Sequence, residues 1–247
     1  MPPVADRTLK AVFLDLDDTL SDELHRLTVA HSIALAQFPN QITSSQVKET
    51  LDHYMFIVTD LYERNAWNEL PQEQRLRLAL AQAGVKSSND LLAAIIQGYL
   101  RNYHQGLRLL PGASQLLQEA SRHCTCLITN GETQIQTEKL RLLSLHGYFN
   151  HILISKEFGS PKPDLAIFQH ALNLTKSKPH QAIMIGNNIP TDIAGAANLG
   201  ITTIWVNLHS WKAPHCYKKP DYEVPDLKGA SELLCIIRAQ NCRQSHP

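Results

Sequence analysis

Asp15 and Asp17 stand two residues apart in "DLDDTL", directly after the apolar run "KAVFL". On an extended backbone two such side chains point the same way, with Cα atoms about 6–7 Å apart. That gap is too wide for a shared proton and wide enough to admit a phosphoryl group. One carboxylate would attack phosphorus while the other protonates the departing oxygen. Asp and Thr also favour helix starts, so "DLDDT" read alone serves equally as a cap for the following turn. Asp15, Asp17 and Asp18 repel one another when crowded, and a cation is expected beside them.

Three further stretches offer matching chemistry. "LITNG" at 127–131 ends an apolar run with Thr129 and Asn130, where a hydroxyl and backbone N–H groups can receive a phosphate oxygen. "GSPKPD" at 159–164 sets Lys162 between two prolines, which restrict the backbone and so fix an ammonium in place. Elsewhere such a lysine is an ordinary solvated cation. "IMIGNNIPTDIAGA" at 183–196 reads as a strand, a Gly turn and then Asp192 opening a helix, whose plainer role is capping.

The elements that must position these residues come in two textures. Short apolar strands are expected at Lys10–Asp15, Thr125–Thr129, Ile152–Ile154, Ala182–Gly186 and Thr202–Val206, separated by segments long enough for crossover helices. This alternation predicts an α/β fold, a Rossmann-like three-layer core with a parallel sheet. Carboxylates at the far end of its first strand would lie where open α/β sheets bind ligands. From 22 to 106 nothing reads as a buried strand. Val47, Leu51, Tyr54, Met55, Val58, Leu61 and Tyr62 follow helical spacing, and Leu91, Leu92, Ile95, Ile96, Tyr99 and Tyr103 do so again after a Ser88 or Asn89 cap. The expected organisation is a core of 1–21 and 107–240, an all-helical insert at 22–106, and a frayed tail at 241–247.

Composition narrows the function. The chain has 247 residues, 43% hydrophobic and 19% charged, which is globular. Lys plus Arg and Asp plus Glu balance at 23 each, so no overall field favours a nucleic-acid polymer or a membrane surface. "MPPVADRTLK" shows no leader pattern and no segment approaches a membrane span, so a soluble cytoplasmic protein is expected. The cysteines, Cys124, Cys126, Cys216, Cys235 and Cys242, lack framework spacing and fit a reduced compartment. His209, His215 and Cys216 in "HSWKAPHC" offer metal-ligand atoms but no fourth partner.

Taken in order over residues 10–200, the D-x-D-x-T-L after a strand, the strand-ending Thr–Asn–Gly, the Gly-x-x-Lys-Pro-Asp loop and the Gly turn followed by an acid resemble the haloacid dehalogenase superfamily, in its phosphatase branch. Residues 127–206 look most like its nucleotidase and N-acylneuraminate-9-phosphatase members. The resemblance implies that Asp15 is a nucleophile forming an aspartyl-phosphate and Asp17 the general acid and base. It also implies that Thr129 binds phosphoryl oxygens with support from Asn130 and Gly131, and that Lys162 neutralises charge. Mg²⁺, or Mn²⁺ in its place, would bind Asp15, the Asp17 backbone carbonyl and the turn carrying Asn187 and Asp192. The insert resembles the family's helical cap, where His25, His31, Trp67 or Asn68 could touch a substrate but are more simply packed or solvated.

Asp17 itself disfavours dehalogenation, because a halide leaves without needing a proton while an alkoxide benefits from one. The expected activity is metal-dependent hydrolysis of a small phosphate monoester, of nucleotide or sugar-phosphate type. One departure stands out. The family normally places Asp directly after the turn Gly, and this chain has Asn187, which can offer an oxygen but no charge. That keeps open a phosphate-binding or regulatory protein with weakened catalysis, and a phosphomutase shares the same first step.

Overall fold

The computed structural model describes residues 8–64, 66, 69–213 and 216–244. The chain divides into two compact units, Met1–Asp22 with Leu109–Pro247 and Glu23–Arg108. The first is built on six strands, β1 (Ala11–Leu14), β2 (Cys124–Thr129), β3 (His151–Ile154), β4 (Ala182–Gly186), β5 (Thr202–Val206) and β6 (Tyr222–Val224). They lie in the order β3-β2-β1-β4-β5-β6, every pair parallel.

β1 sits inside the sheet, with Val12 opposite Thr125 of β2 on one edge and Ile183 of β4 on the other. A strand so placed is covered on both faces, which explains an apolar run without polar alternation. Val12 and Leu14 pack with Leu116, Leu140, Leu227 and Leu234, while Ala11 and Phe13 face Ile167, Phe168 and Leu172. Helices therefore cover both sides, giving the three-layer α/β architecture. The chain runs from β1 outward through β2 and β3, then returns to β4 on the opposite edge. Between β1 and β4 the strand order reverses, which opens a crevice at the carboxyl ends.

Two details differ from the expected elements. β6 is an edge strand whose Tyr222 and Glu223 are exposed and only Val224 buried, so three residues leave no periodic trace. The final helix runs Leu227–Gln244, past the expected onset of fraying at 241, because Leu227, Ala230 and Leu234 anchor it in the core. Residues 245–247 lie outside the described residues. At the exit toward the second unit, Ser21 and Leu109 form an antiparallel bridge, and the Leu110 N–H donates to the Leu20 carbonyl at 2.9 Å.

Among the described residues the second unit holds four helices, Glu23–Leu35, Ser44–Glu63, Gln72–Gln82 and Asn89–Arg101. Tyr54, Val58 and Leu61 of the expected stripe are buried, as are Leu92, Ile95 and Tyr99. Ser88 is the cap of the last helix, its side chain accepting from the Leu91 N–H at 3.1 Å. Arg26 is buried here, bidentate on Glu23 at 2.6 and 2.8 Å and stacked 3.8 Å from the Tyr103 ring centre. His31 is equally enclosed, with ring centres of Tyr54 and Tyr99 at 4.3 and 4.2 Å. Trp67 and Asn68 lie outside the described residues. No helix among the described residues is long and apolar enough to cross a membrane.

Candidate active site

Four chain segments meet at the carboxyl ends of β1, β2 and β4. Asp15 continues β1 by one residue, its N–H donating to the Ile185 carbonyl at 3.1 Å. Its two carboxylate oxygens are held separately. Oδ1 faces Lys162 Nζ at 2.6 Å and Oδ2 accepts from Thr19 Oγ1 at 2.8 Å. The same Thr19 oxygen accepts from the Asn187 N–H at 3.0 Å, so one hydroxyl ties the first strand's turn to the fourth's.

Lys162 bridges two acids, with Asp192 Oδ1 at 2.7 Å as its second partner. All three side chains are nearly fully buried. Burial disfavours the Asp15 carboxylate most, and with Asp192 nearby it outweighs the pull of Lys162, raising the pKa to about 7. Burial pulls the Lys162 ammonium down, but Asp15 and Asp192 together more than reverse this and hold it above its ordinary value. Two carboxylates sharing one ammonium leave a surplus of negative charge.

Asp192 reaches this position through a single π turn, Ile189–Ile193, a local overwinding found mostly at functional sites. Asn188 caps it by accepting from the Thr191 N–H at 3.0 Å, and its own N–H donates to Asp192 Oδ2 at 3.1 Å. Gly186 makes room: a Cβ there would stand 2.6 Å from Asp192 Cγ. Asn187 is buried, its carbonyl accepting from the Trp205 indole at 2.8 Å.

Thr129 ends β2 and is buried beside this cluster. Asn130 spends both polar ends of its side chain on the Lys162 main chain, donating to its carbonyl and accepting from its N–H, each at 2.9 Å. It therefore fixes the lysine. The Gly131 N–H donates to Ser155 Oγ at 3.0 Å, with the glycine at φ +145°, a conformation L side chains rarely adopt.

Asp17 is anchored by a different cation. Its Oδ1 takes Lys139 Nζ at 2.8 Å, and its Oδ2 takes Gln136 Nε2 at 2.9 Å. Neither residue emerges from sequence motifs. Both lie on the Thr133–Leu142 helix, where Gln136, Lys139 and Leu140 share the buried face. A stripe aligned on Leu140 and Leu143 would have shown two polar residues where apolar ones belong. Of the loop set proposed for metal, His209 stacks on Trp211 at 4.9 Å, Cys216 is exposed and His215 lies outside the described residues. No cluster of three or more His, Cys, Asp or Glu side chains suited to a metal occurs among the described residues.

A family model, haloacid dehalogenase-like hydrolase, matches residues 12–206, from inside β1 to the end of β5. The chain belongs to this family. Its members include a glyceraldehyde 3-phosphate phosphatase of Pyrococcus furiosus, 30% identical over 95% of each chain. A pyrimidine 5'-nucleotidase, PynA of Streptococcus pneumoniae, is 30% identical over 91% of this chain and 94% of its own. Among solved structures, the putative family hydrolase YfnB of Bacillus subtilis, described as bound to magnesium, superposes with a TM-score of 0.72. It is 23% identical, covering 92% of this chain and 99% of that one, and carries the likeness of fold.

Proposed function

We propose that this family member hydrolyses small phosphate monoesters through an aspartyl-phosphate on Asp15. The observation that carries the reading is the separate anchoring of two carboxylates, Asp15 on Lys162 and Thr19, Asp17 on Lys139 and Gln136. Groups so held can play different parts, with Asp15 attacking as the carboxylate, the form that Lys162 and a bound divalent cation would favour over the neutral form that burial favours. Asp15 attacks phosphorus, the ester P–O bond breaks, and Asp17 gives its proton to the leaving oxygen. Asp17 then takes a proton from the water that cleaves the acyl-phosphate, which restores both carboxyl groups. Thr129 donates its hydroxyl to a phosphoryl oxygen, the Gly131 backbone lies beside it, and Lys162 offsets charge shared by Asp15 and phosphate. Catalysis of this kind is chiefly positioning and charge stabilisation. Asn130 contributes through Lys162.

The donor set suits a hard divalent cation. Asp15, the Asp17 carbonyl, Asn187 Oδ1 and Asp192 are all oxygen donors beside a surplus of negative charge. Mg²⁺, or Mn²⁺, would be held by these residues and, when bound, would withdraw charge from the phosphoryl oxygens. Two of the four donors are uncharged. The helical unit Glu23–Arg108 takes the part of the family's cap and carries part of the substrate choice, and the substrate is a small phosphorylated metabolite.

The test is phosphate release from nucleoside monophosphates, triose phosphates and sugar phosphates at graded Mg²⁺ and Mn²⁺, with Asp15→Asn as control. Metal-dependent release lost in Asp15→Asn is expected. A transferred phosphate in the products would indicate a mutase, and silence across the panel in folded protein would leave a phosphate-binding protein.

A further inference from the structure

Gln136 is the meeting point of three acceptors. Its Nε2 lies 2.9 Å from Asp17 Oδ2, 2.6 Å from Thr129 Oγ1 and 3.1 Å from the Asn130 carbonyl. The reverse amide orientation would set an oxygen against a carboxylate and a carbonyl, so these partners fix which end is the amine. Its Oε1 is buried with no hydrogen-bond partner among the described residues, and an amide left half-satisfied is normally selected against in a core. One turn further along, Lys139 is 1% exposed, with its ammonium on Asp17 Oδ1. Ser21 Oγ approaches the same Oδ1 at 3.3 Å. Gly131 leaves space for this arrangement, since a Cβ there would lie 3.1 Å from Gln136 Cγ and Cδ.

We infer that Gln136 and Lys139 are positioning residues for Asp17, orienting its carboxyl group for proton transfer to the leaving oxygen; this rests on the phosphatase reading above. A carboxyl oxygen has two lone-pair sites. Lys139 and Ser21 converge on Oδ1 and Gln136 holds Oδ2, so contacts to both oxygens fix the plane in which the carboxyl group faces the leaving oxygen. Because Gln136 also holds Thr129 Oγ1, the proton donor and the phosphate-binding hydroxyl are set at a fixed separation. A helix face with no motif of its own thereby aligns two steps of the reaction.

A purely structural ion pair would affect all substrates alike, whereas a device for leaving-group protonation would not. The experiment compares kcat/KM, which covers phosphoryl transfer to Asp15 and departure of the alcohol, for glycerol 2-phosphate and p-nitrophenyl phosphate with Mg²⁺. An alkoxide needs the proton and a nitrophenolate does not. In Gln136→Met and Lys139→Met, the alkyl ester is expected to lose about 100-fold and the nitrophenyl ester less than about tenfold, within the usual span of general acid catalysis. The ratio of the two esters does not depend on how much variant is folded, so partial unfolding does not disguise the result. A ratio equal to wild type overturns the assignment and leaves the phosphatase reading standing, since turnover by wild type establishes that separately. Wild-type silence on both esters and across the wider panel above overturns the reading and the assignment together.

Discussion

Asn130→Ala separates two roles for a residue that the sequence placed with the phosphate. The structure commits its side chain to Lys162, with two hydrogen bonds of 2.9 Å to the N–H and carbonyl of one buried residue. Each such bond contributes about 1 kcal/mol net, and leaving a buried N–H or C=O without a partner costs about 1–3 kcal/mol. Removing both bonds should therefore cost about 2–4 kcal/mol. For a chain of this size, that lowers Tm by roughly 4–16 °C. Lys162 would lose its fixed backbone, its ammonium would leave Asp15 and Asp192, and kcat should fall about 100-fold with KM changed less, as for an interaction made mainly in the transition state. Thermal unfolding followed by circular dichroism, and initial rates on the best ester, measure both. An unchanged Tm together with weaker inhibition by inorganic phosphate would refute the reasoning and return Asn130 to direct phosphate contact.

Three other outcomes follow from the same geometry. Asn187→Asp adds a charged oxygen to the metal set and should lower the half-saturating Mg²⁺ concentration about tenfold; an unchanged value in a metal titration of activity would remove Asn187 from that set. Gly186→Ala sets a Cβ 2.6 Å from Asp192 Cγ, so Asp192 must leave Lys162. Overpacking of this kind costs about 1–3 kcal/mol, and rates on any ester should fall with it. His31 is held mainly by burial at a pKa of about 4, below its ordinary 6.5. The unfolded chain therefore binds this proton more readily, so the contribution of His31 is complete above pH 6.5, falls as pH drops and levels off below 4. The loss is about 3 kcal/mol, and urea unfolding of His31→Phe should lack that part of the slope between pH 7 and 4.

The sequence disclosed what is local. Asp15, Thr129, Lys162 and Asp192 each follow a strand or a turn whose own residues dictate the backbone, so short motifs carried them. The sheet was legible for a related reason, since a strand buried on both faces needs an unbroken apolar run. Gln136 and Lys139 were not, because they act on Asp17 across 119 and 122 residues of chain. Only the register of a helix against the sheet brings them there. β6 escaped because an exposed edge strand has no face to keep apolar, and the hold of the Asn130 side chain on Lys162 was not legible because it joins a strand end to a loop 32 residues further along the chain.

The small bridge between Ser21 and Leu109 has a consequence for how such a chain can change. The excursion through Glu23–Arg108 leaves and re-enters the first unit at one tied pair of residues, so the sheet is indifferent to what lies between. Doubling a loop whose ends are already pinned adds only about 0.6 kcal/mol of closure entropy. The insert can be lengthened, shortened or exchanged without moving Asp15 against Lys162. A lineage using this scaffold can thus replace one cassette while the cluster of Asp15, Lys162 and Asp192 at the strand ends remains untouched.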